Sequence, residues 1–301
     1  MTGAVITVGG EVADAVGRVS YLTRRGMYPA SLTFECVNAV FVGDEVTLSS
    51  CGTTLFVGRI FSVTRTKGKY TASAYDLLRY FENRDTIELT GRTASEILHI
   101  IALSYGFPRG EIRDTEYKLG TKICDMKSLF DITETALSLT ESMGGDKYAL
   151  FDDCRRISLL PEGELICEDV IFPLECSSFS VKESIDEDFY SEVMLYIDGD
   201  GGREYTRVSN EEARALYGTL RYLGQLSRAG AGILTAEGIL RDYSSPKVTA
   251  ECVVPHEILS AKGGYTVMVY IDGVKKSLFC ERAEHIYTNL SSSVRLSLSS
   301  V

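Results

Sequence analysis

The stretch YTASAYDLLRYFENRDTIEL, residues 70–89, changes its hydrophobic period twice within a short distance. YTASAY alternates in the manner of a β-strand, whereas YDLLRYFEN, residues 75–83, takes helical spacing with Leu78 and Phe81 on its apolar side. TIEL then reads as extended again. The pattern predicts a helix of about two turns between two strands, which is either a catalytic element or a joint between two parts of the chain.

The chain ahead of this stretch reads as β-structure. Its segments alternate or carry β-branched and aromatic residues. Glycine-bearing turns separate them at intervals of about ten residues, the spacing of a small barrel or sandwich. We therefore expect an N-terminal β-barrel domain over residues 1–90. The predicted strands are SLTFECV (31–37), DEVTLSS (44–50), TLFVGRIFSVTRT (54–66) and KYTASAY (69–75).

Two amphipathic helices follow and predict a small helical lobe over residues 91–145. In the first helix, within GRTASEILHIIALSYGF, Thr93 and Glu96 form the T-x-x-E pattern of a capping box. The second helix spans 127–143, and Ser128 stands at its N-cap position. Both helices carry an apolar stripe at helical spacing, so we expect them to share one core.

The rest of the chain returns to β-structure. Residues 146–185 predict a hairpin with connecting strands, and residues 186–301 a second β-barrel domain with one helix over 233–243. This region contains an internal echo, VMLYIDG at 193–199 and VMVYIDG at 267–273. Each copy runs into an Asp-Gly turn and predicts a β-hairpin. The fold class is therefore α+β, mainly β, with two β-domains joined by a helical lobe.

Composition excludes several classes of function. The chain has 301 residues and a formal net charge of −11, which argues against a nucleic-acid binder because phosphate recognition needs a basic face. No apolar run approaches the roughly 20 residues of a transmembrane helix, so we expect no stable membrane insertion. The N-terminus has no basic region ahead of an apolar core. We therefore expect no signal peptide, folding in a cytoplasm, and reduced thiols at the eight cysteines.

No motif in the chain carries recognisable chemistry. The acidic, glycine-rich loop Asp198–Gly202 fails the EF-hand pattern because Arg203 and Ser209 stand at its sixth and twelfth positions. The carboxylates of Asp152–Asp153 and of the acidic segment 183–188 lie in polar, turn-like segments, where we expect solvated side chains that titrate normally. The chain contains no CxxC, GxSxG or phosphate loop. We therefore expect no cofactor, no metal site and no enzymatic activity.

The opening stretch also carries a motif: a strand that ends in Tyr-Asp, a short LRYL-like helix, a polar pair and Asp-Thr. In this arrangement the stretch resembles the signature of the baseplate hub proteins of contractile phage tails, of related defective prophages and of phage-tail-like bacteriocins. The residues that carry the resemblance are Tyr75, Asp76, Leu78, Arg79, Tyr80, Asn83, Asp85 and Thr86.

Further elements resemble this family in the same order along the chain. Upstream lie the strand ASLTFECV and the pattern Gly-Asp-x-Val, and downstream lie the two helices of the lobe and a Tyr-x-Leu-x-Asp-Asp hairpin. A His-x-Tyr element precedes the final alternating strand. The likeness is strongest over residues 30–160 and weakest over 160–260. The matching residues include Gly43, Asp44, Val46, Phe56, Gly58, Ile60, Thr93, Leu129, Tyr148, Asp153, His285 and Tyr287.

The resemblance implies a homotrimer in which each subunit carries two β-barrel domains like tail-tube subunits. Three subunits would then present a ring of six barrels and adapt the sixfold tail tube to a threefold central spike. The implied partners are the tail tube protein, the central spike protein and inner baseplate proteins. The implied location is the baseplate of a virion or phage-tail-like particle assembled in the bacterial cytoplasm.

On this interpretation the segment 75–83 is an interdomain joint that carries the chain out of the first barrel into the helical lobe. Tyr75 and Leu78 would pack, and Asp76 and Arg79 would pair with each other or meet a neighbour. Two other functions stay open. A tail-associated cell-wall hydrolase would need a cleft with convergent carboxylates or a Cys-His pair. A receptor- or carbohydrate-binding module at the tail tip would need exposed aromatic side chains along a groove, and the chain has no tryptophan.

Overall fold

The structure is a computed structural model that describes residues 3–199, 202–226 and 232–300. The predicted class, α+β and mainly β, is confirmed. The first strands are β1 (Ala4–Val8), β2 (Glu11–Val12), β3 (Ala15–Arg24), β4 (Ser31–Cys36), β5 (Glu45–Ser50), β6 (Thr53–Thr66), β7 (Lys69–Tyr75), β8 (Arg84–Glu88), β9 (Arg109–Ile112), β10 (Ile123–Ser128), β11 (Tyr148–Asp152) and β12 (Ile157–Pro161).

The remaining strands are β13 (Ile166–Ile171), β14 (Ser178–Ser184), β15 (Glu192–Gly199), β16 (Gly202–Ser209), β17 (Arg221–Gln225), β18 (Lys247–Val254), β19 (Thr266–Ile271), β20 (Val274–Tyr287) and β21 (Ser292–Ser299). The α-helices of the described residues are α1 (Ala94–Tyr105), α2 (Leu129–Ser142), α3 (Glu211–Tyr217) and α4 (Gly232–Tyr243).

The chain forms two compact units. Unit 1 comprises the chain up to Phe179 together with Glu251–Leu298, and unit 2 comprises Ser180–Ala250 with the C-terminal residues from Ser299. The domain boundaries predicted from the sequence, after residues 90, 145 and 185, stay a prediction. The closure of the two β-domains into barrels also stays a prediction.

The main sheet of unit 1 unites strands from both ends of the chain. From β21 onward its strand order is β21-β20-β3-β4-β7-β6-β5-β1-β2, and β19 joins β20 to β13. The four strands predicted between residues 31 and 75 are confirmed as β4 to β7, and their alternation places one face in a core that contains Leu32, Phe34 and Ala72. Gly58 is required in β6, because a Cβ there would lie 2.2 Å from the carbonyl oxygen of Tyr75.

The helical part of unit 1 follows the stretch 70–89. The predicted two-turn helix is a 3-10 helix, Leu77–Glu82, rather than an α-helix. Both predicted cap positions are confirmed. Thr93 accepts from the Glu96 backbone N–H at 3.2 Å while the Glu96 carboxylate accepts from the Thr93 N–H at 2.9 Å. Ser128 caps α2 through a second capping box. The hairpin β11–β12 is also confirmed, and β12 pairs in parallel with β9.

Unit 2 is built on a three-stranded sheet of order β16-β15-β17. Val193 and Leu195 of β15 pack against Ala236 and Leu240 of α4, so this helix covers one face of the sheet. The predicted helix at 233–243 is therefore confirmed as α4, whereas the polar stretch before it contains a further helix, α3, that the sequence interpretation left out. Asn210 caps α3 by accepting from the Ala213 N–H at 3.1 Å.

The internal echo is structural as well as sequential. VMLYIDG lies in β15 and VMVYIDG in β19 and the turn after it, and each begins a β-hairpin as predicted. Residues 200 and 201, at the tip of the first hairpin, lie outside the described residues. Each first strand also pairs in parallel with a third strand, β15 with β17 and β19 with β13. The two copies therefore share a three-stranded arrangement.

Candidate functional site

The best-defined polar arrangement in unit 1 surrounds the start of the 3-10 helix. Asp76 follows directly after β7 and is only 6% exposed. One carboxylate oxygen accepts from the Leu78 N–H at 3.1 Å, and the other accepts from the Ala30 N–H at 3.0 Å. Asp76 therefore caps the helix and ties it to the loop that precedes β4.

Asp152, at the end of β11, holds the same helix start from the other side. Its Oδ2 accepts from the Leu77 N–H at 2.7 Å. Its Oδ1 accepts from the N–H groups of Arg155 and Arg156 in the hairpin turn. Two carboxylates thus satisfy consecutive backbone donors that a helix N-terminus otherwise leaves without partners. The 3-10 helix, the predicted joint, is bound both to the main sheet and to the β11–β12 hairpin.

Burial changes the acidity of both groups. It raises the pKa of Asp76 well above its ordinary value, and the nearby Asp152 carboxyl raises it further. The N–H groups of Ala30 and Leu78 lower the pKa of Asp76, but by less. Burial likewise raises the pKa of Asp152 to about 6. The expectation that Asp152 is solvated and titrates normally was therefore wrong. Strand alternation could have shown this, because Asp152 stands two residues after the buried Leu150 on the same face of β11.

A cavity of about 80 Å³ adjoins the two carboxylates. Its lining includes Tyr21, Phe56 and Leu150 together with both aspartates. Each of the four carboxylate oxygens accepts at least one backbone N–H. The oxygens that a general acid or base would use are therefore engaged in holding the backbone.

The other signature residues lie around the same joint. Tyr75 packs edge-on against Phe61 with ring centroids 5.5 Å apart. The Arg79 guanidinium lies 5.6 Å from the centre of the Phe61 ring. Arg79 forms its ion pair with Glu82 rather than with Asp76, because the Asp76 carboxylate points into the interior toward backbone donors.

The second half of the signature connects the joint to the helical core. Leu78 is buried there, and Tyr80 contacts the Phe107 ring at 6.3 Å. The backbone carbonyl of Asn83 accepts from the Leu129 N–H at 2.9 Å, at the start of α2. The Asp85 carboxylate accepts from the Tyr105 hydroxyl at 3.2 Å, at the end of α1. Their role as an interdomain joint stays a prediction.

His285 contacts Tyr21, which also lines the cavity beside the two aspartates. His285 is buried against the ring of Tyr21 at 5.5 Å, and its Nε2 lies 2.8 Å from the Ala261 carbonyl oxygen. Over residues 3–199, 202–226 and 232–300, no group of three or more His, Cys, Asp or Glu side chains is arranged to hold a metal ion. Within those same ranges, none of the helices has the length and apolar character needed to cross a membrane.

The fold defines a class of protein. The chain is similar over 98% of its length to 98% of the 43 kDa tail protein of prophage MuSo2 from Shewanella oneidensis, with a TM-score of 0.75 at 11% identity. It is also similar, over 97% of its length, to 76% of the E. coli c3393 protein, with a TM-score of 0.58 at 11% identity. That protein is described as a component of the type VI secretion system with structural similarity to the T4 tail proteins gp27 and gp5. The present chain thus has the fold of solved phage tail and baseplate-like proteins.

The chain belongs to the YQBQ-like family, whose model matches residues 19–299. It is 26% identical over 223 residues to the uncharacterized protein YqbQ of Bacillus subtilis (strain 168), covering 69% of this chain and 67% of YqbQ. It is 29% identical over 123 residues to the phage-like element PBSX protein XkdQ of the same organism, covering 40% of this chain and 38% of XkdQ. The resemblance to phage and prophage tail proteins is confirmed.

Proposed function

We propose that this protein is the structural hub of a contractile-tail baseplate, a homotrimer that adapts the sixfold tail tube to a threefold central spike. The observation that carries the proposal is the similarity in fold to a prophage tail protein along 98% of the chain. The likeness to a secretion-system component related in structure to gp27 and gp5 supports it further. Its partners are then the tube, the spike and inner baseplate proteins.

The end of the main sheet supports a contact between subunits. The terminal strand β2 has only two residues, and among the described residues it pairs with β1 only at Thr7 and Val8. Apolar side chains lie exposed here and in the loop before β5, with Val12 64%, Phe41 55% and Val42 65% exposed. Open strand edges and exposed apolar groups are features that assembly covers. A neighbouring subunit on this edge would bury both.

The carboxylates of the joint support a structural role over a hydrolytic one. A glycosidase-type pair needs one carboxyl free to donate a proton and one free to attack or to activate water. Asp76 and Asp152 instead accept backbone N–H groups with all their oxygens. We therefore propose a non-enzymatic adaptor whose joint is braced from two sides. A peptidoglycan turnover assay that released product would contradict this part of the proposal.

Light scattering of the purified chain over a concentration series tests the oligomeric state. A trimer has three times the subunit mass of 33.1 kDa, and we expect it either alone or after addition of the spike protein. Val12→Asp should weaken the trimer because Val12 is exposed on β2 and the change places a charge on the proposed edge. Leu103→Asp is the matched control, since Leu103 is 80% exposed on α1. A chain that stays monomeric with both spike and tube proteins present refutes the hub.

A further inference from the structure

One face of the unit 2 sheet carries several exposed side chains among the described residues. Helix α4 packs on the face that carries Val193 and Leu195. The intervening residues of β15 and their direct partners on β16 and β17 project to the other side. We call this side the open face; it is formed by Met194, Tyr196, Tyr205, Arg207, Arg221 and Leu223.

The centre of the open face is apolar and accessible. Tyr205 lies opposite Tyr196, and Leu223 lies opposite Met194. Tyr205 is 59% exposed and Leu223 is 60% exposed. Directly paired residues on neighbouring strands are close enough for their side chains to form one continuous patch. Tyrosine and arginine side chains are typical anchors of an interface, and Leu223 adds apolar area beside them.

A buried carboxylate organises the charged side of this face. The Glu192 side chain is 0% exposed and pairs with both Arg207 and Arg221, whose side chains are 51% and 45% exposed. The Arg207 Nε donates to Glu192 at 2.7 Å. Because one buried acid holds both guanidinium groups, they are ordered before any partner arrives, and less side-chain entropy is lost on binding.

The internal echo shows what such a face accepts. In unit 1, Tyr270 of VMVYIDG stands at the position that Tyr196 occupies in VMLYIDG. Phe172, directly after β13, stacks its ring on that of Tyr270 with centroids 4.9 Å apart and an interplanar angle of 13°. In unit 2 the ring of Tyr196 has the Arg203 guanidinium above it at 4.0 Å. An arginine thus stands where the other copy has an aromatic ring.

We propose that the open face of unit 2 binds an extended segment of a neighbouring baseplate protein that carries a carboxylate next to an aromatic or aliphatic side chain. The apolar side chain contacts Tyr205 and Leu223, and the carboxylate meets the guanidinium groups of Arg207 and Arg221. The apolar part of this contact resembles the stacking of Phe172 on Tyr270 of the equivalent strand, and the carboxylate complements the two guanidinium groups. That the partner is a baseplate protein rests on the proposed function, whereas the chemistry of the site is independent of it.

The charge balance favours a carboxylate-bearing protein over nucleic acid. Arg207 and Arg221 share Glu192, and Arg203 is paired with Asp198 at 2.7 Å. The face therefore carries a small excess of positive charge. A single carboxylate complements such an excess, whereas a nucleic-acid backbone requires several phosphate contacts.

A peptide of residues 168–175, EDVIFPLE, is the probe for the site. We expect the full-length protein, labelled at its leucine methyl groups, to bind it saturably, with chemical-shift changes at Leu223. Leu223→Asp should weaken binding by roughly tenfold, as loss of an interface anchor does. Leu216→Asp is the matched control, because Leu216 is 72% exposed on α3 of the same unit. A peptide with Phe172→Ala and one with Glu175→Gln should each bind more weakly.

Absence of saturable binding, or equal binding by Leu223→Asp and wild-type protein, overturns the proposal. Hydroxyl-radical footprinting of assembled tail particles then tests the partner. Tyr205 and Leu223 should react several-fold more slowly in particles than in the isolated chain, while Leu216 is unchanged. If Tyr205 and Leu223 are already protected from hydroxyl radicals in the isolated oligomer, the occupant of the face is a second copy of this chain, and the proposed partner is wrong. If tail particles do not contain this chain, the proposed function is refuted. The peptide experiment would still show whether the open face binds a segment of this chemistry.

Discussion

Replacing Asp76 by alanine removes the acceptor of two backbone N–H groups at the joint. The donors are Ala30, at 3.0 Å, and Leu78, at 3.1 Å, and the 6% exposure of Asp76 leaves little access for water. A buried donor without a partner costs about 1–3 kcal/mol. Part of this loss is offset, because removing a carboxyl with a raised pKa also removes the cost of burying it. We expect Asp76→Ala to lower the free energy of unfolding of unit 1 by about 2–4 kcal/mol.

Two further variants separate capping from charge. Asp76→Asn keeps one carbonyl oxygen and the side-chain shape, so it should lose about half as much as Asp76→Ala. Glu82→Ala breaks the neighbouring ion pair of Arg79, in which the Glu82 side chain is 54% exposed. Exposed pairs contribute little, and we expect a change below about 0.5 kcal/mol.

Urea denaturation followed by far-UV circular dichroism and tyrosine fluorescence measures these differences. The tyrosine signal reports on unfolding of the whole chain, which has 17 tyrosines and no tryptophan. The reasoning is refuted if Asp76→Ala unfolds within about 0.5 kcal/mol of the wild type. Equal losses for the alanine and asparagine variants would show that the carboxylate acts through charge rather than through its two accepted hydrogen bonds.

Three other substitutions test separate features. Asp152 has a folded pKa of about 6 against an ordinary value of 3.8, so the folded state binds its proton more tightly. The protonated carboxyl therefore stabilises the fold at low pH, and this stabilisation is lost as the pH rises through about 6. In the wild type the free energy of unfolding should fall by about 2–3 kcal/mol between about pH 4 and 6 from this group, and Asp152→Asn should remove that fall. Urea denaturation of both proteins at several pH values measures the difference. Gly58→Ala forces a Cβ against the Tyr75 carbonyl and should lower the free energy of unfolding by about 3 kcal/mol, measured by thermal denaturation. Gly163→Ala is the control and should be nearly neutral, because no atom lies within 4 Å of its added Cβ. In Gly238→Ala the added Cβ has no atom within 4 Å, and alanine favours the helical conformation of α4, so unit 2 should gain about 0.5–1 kcal/mol of stability. The backbone amides of α4 should then exchange their hydrogens more slowly, and faster exchange would contradict the prediction.

Local patterns predicted local structure well. The strands β4 to β7 followed from alternation, and the starts of α1 and α2 followed from Thr93 with Glu96 and from Ser128, because a cap and its partner lie within one helical turn. The 3-10 geometry of Leu77–Glu82 did not follow, since 3-10 and α spacing are hard to distinguish over six residues. The open face of unit 2 was also missed, because the parallel strand β17 that completes it is short and its pairing with β15 is not visible in local alternation.

The sequence by itself determined the mainly β class, the capped helices, the two echoing hairpins and the resemblance to phage tail proteins. Each of these depends on residues that are close together in the chain. The tertiary structure alone decided that β20 pairs with β3, across more than half the chain, and that the half-buried Asp152 and the buried Asp76 both hold the start of the 3-10 helix. Backbone hydrogen bonds between strands are the same for every sequence, so the choice of neighbour depends on how the whole core packs. The environment of a carboxylate is decided in the same way, by elements that meet only when the chain has folded.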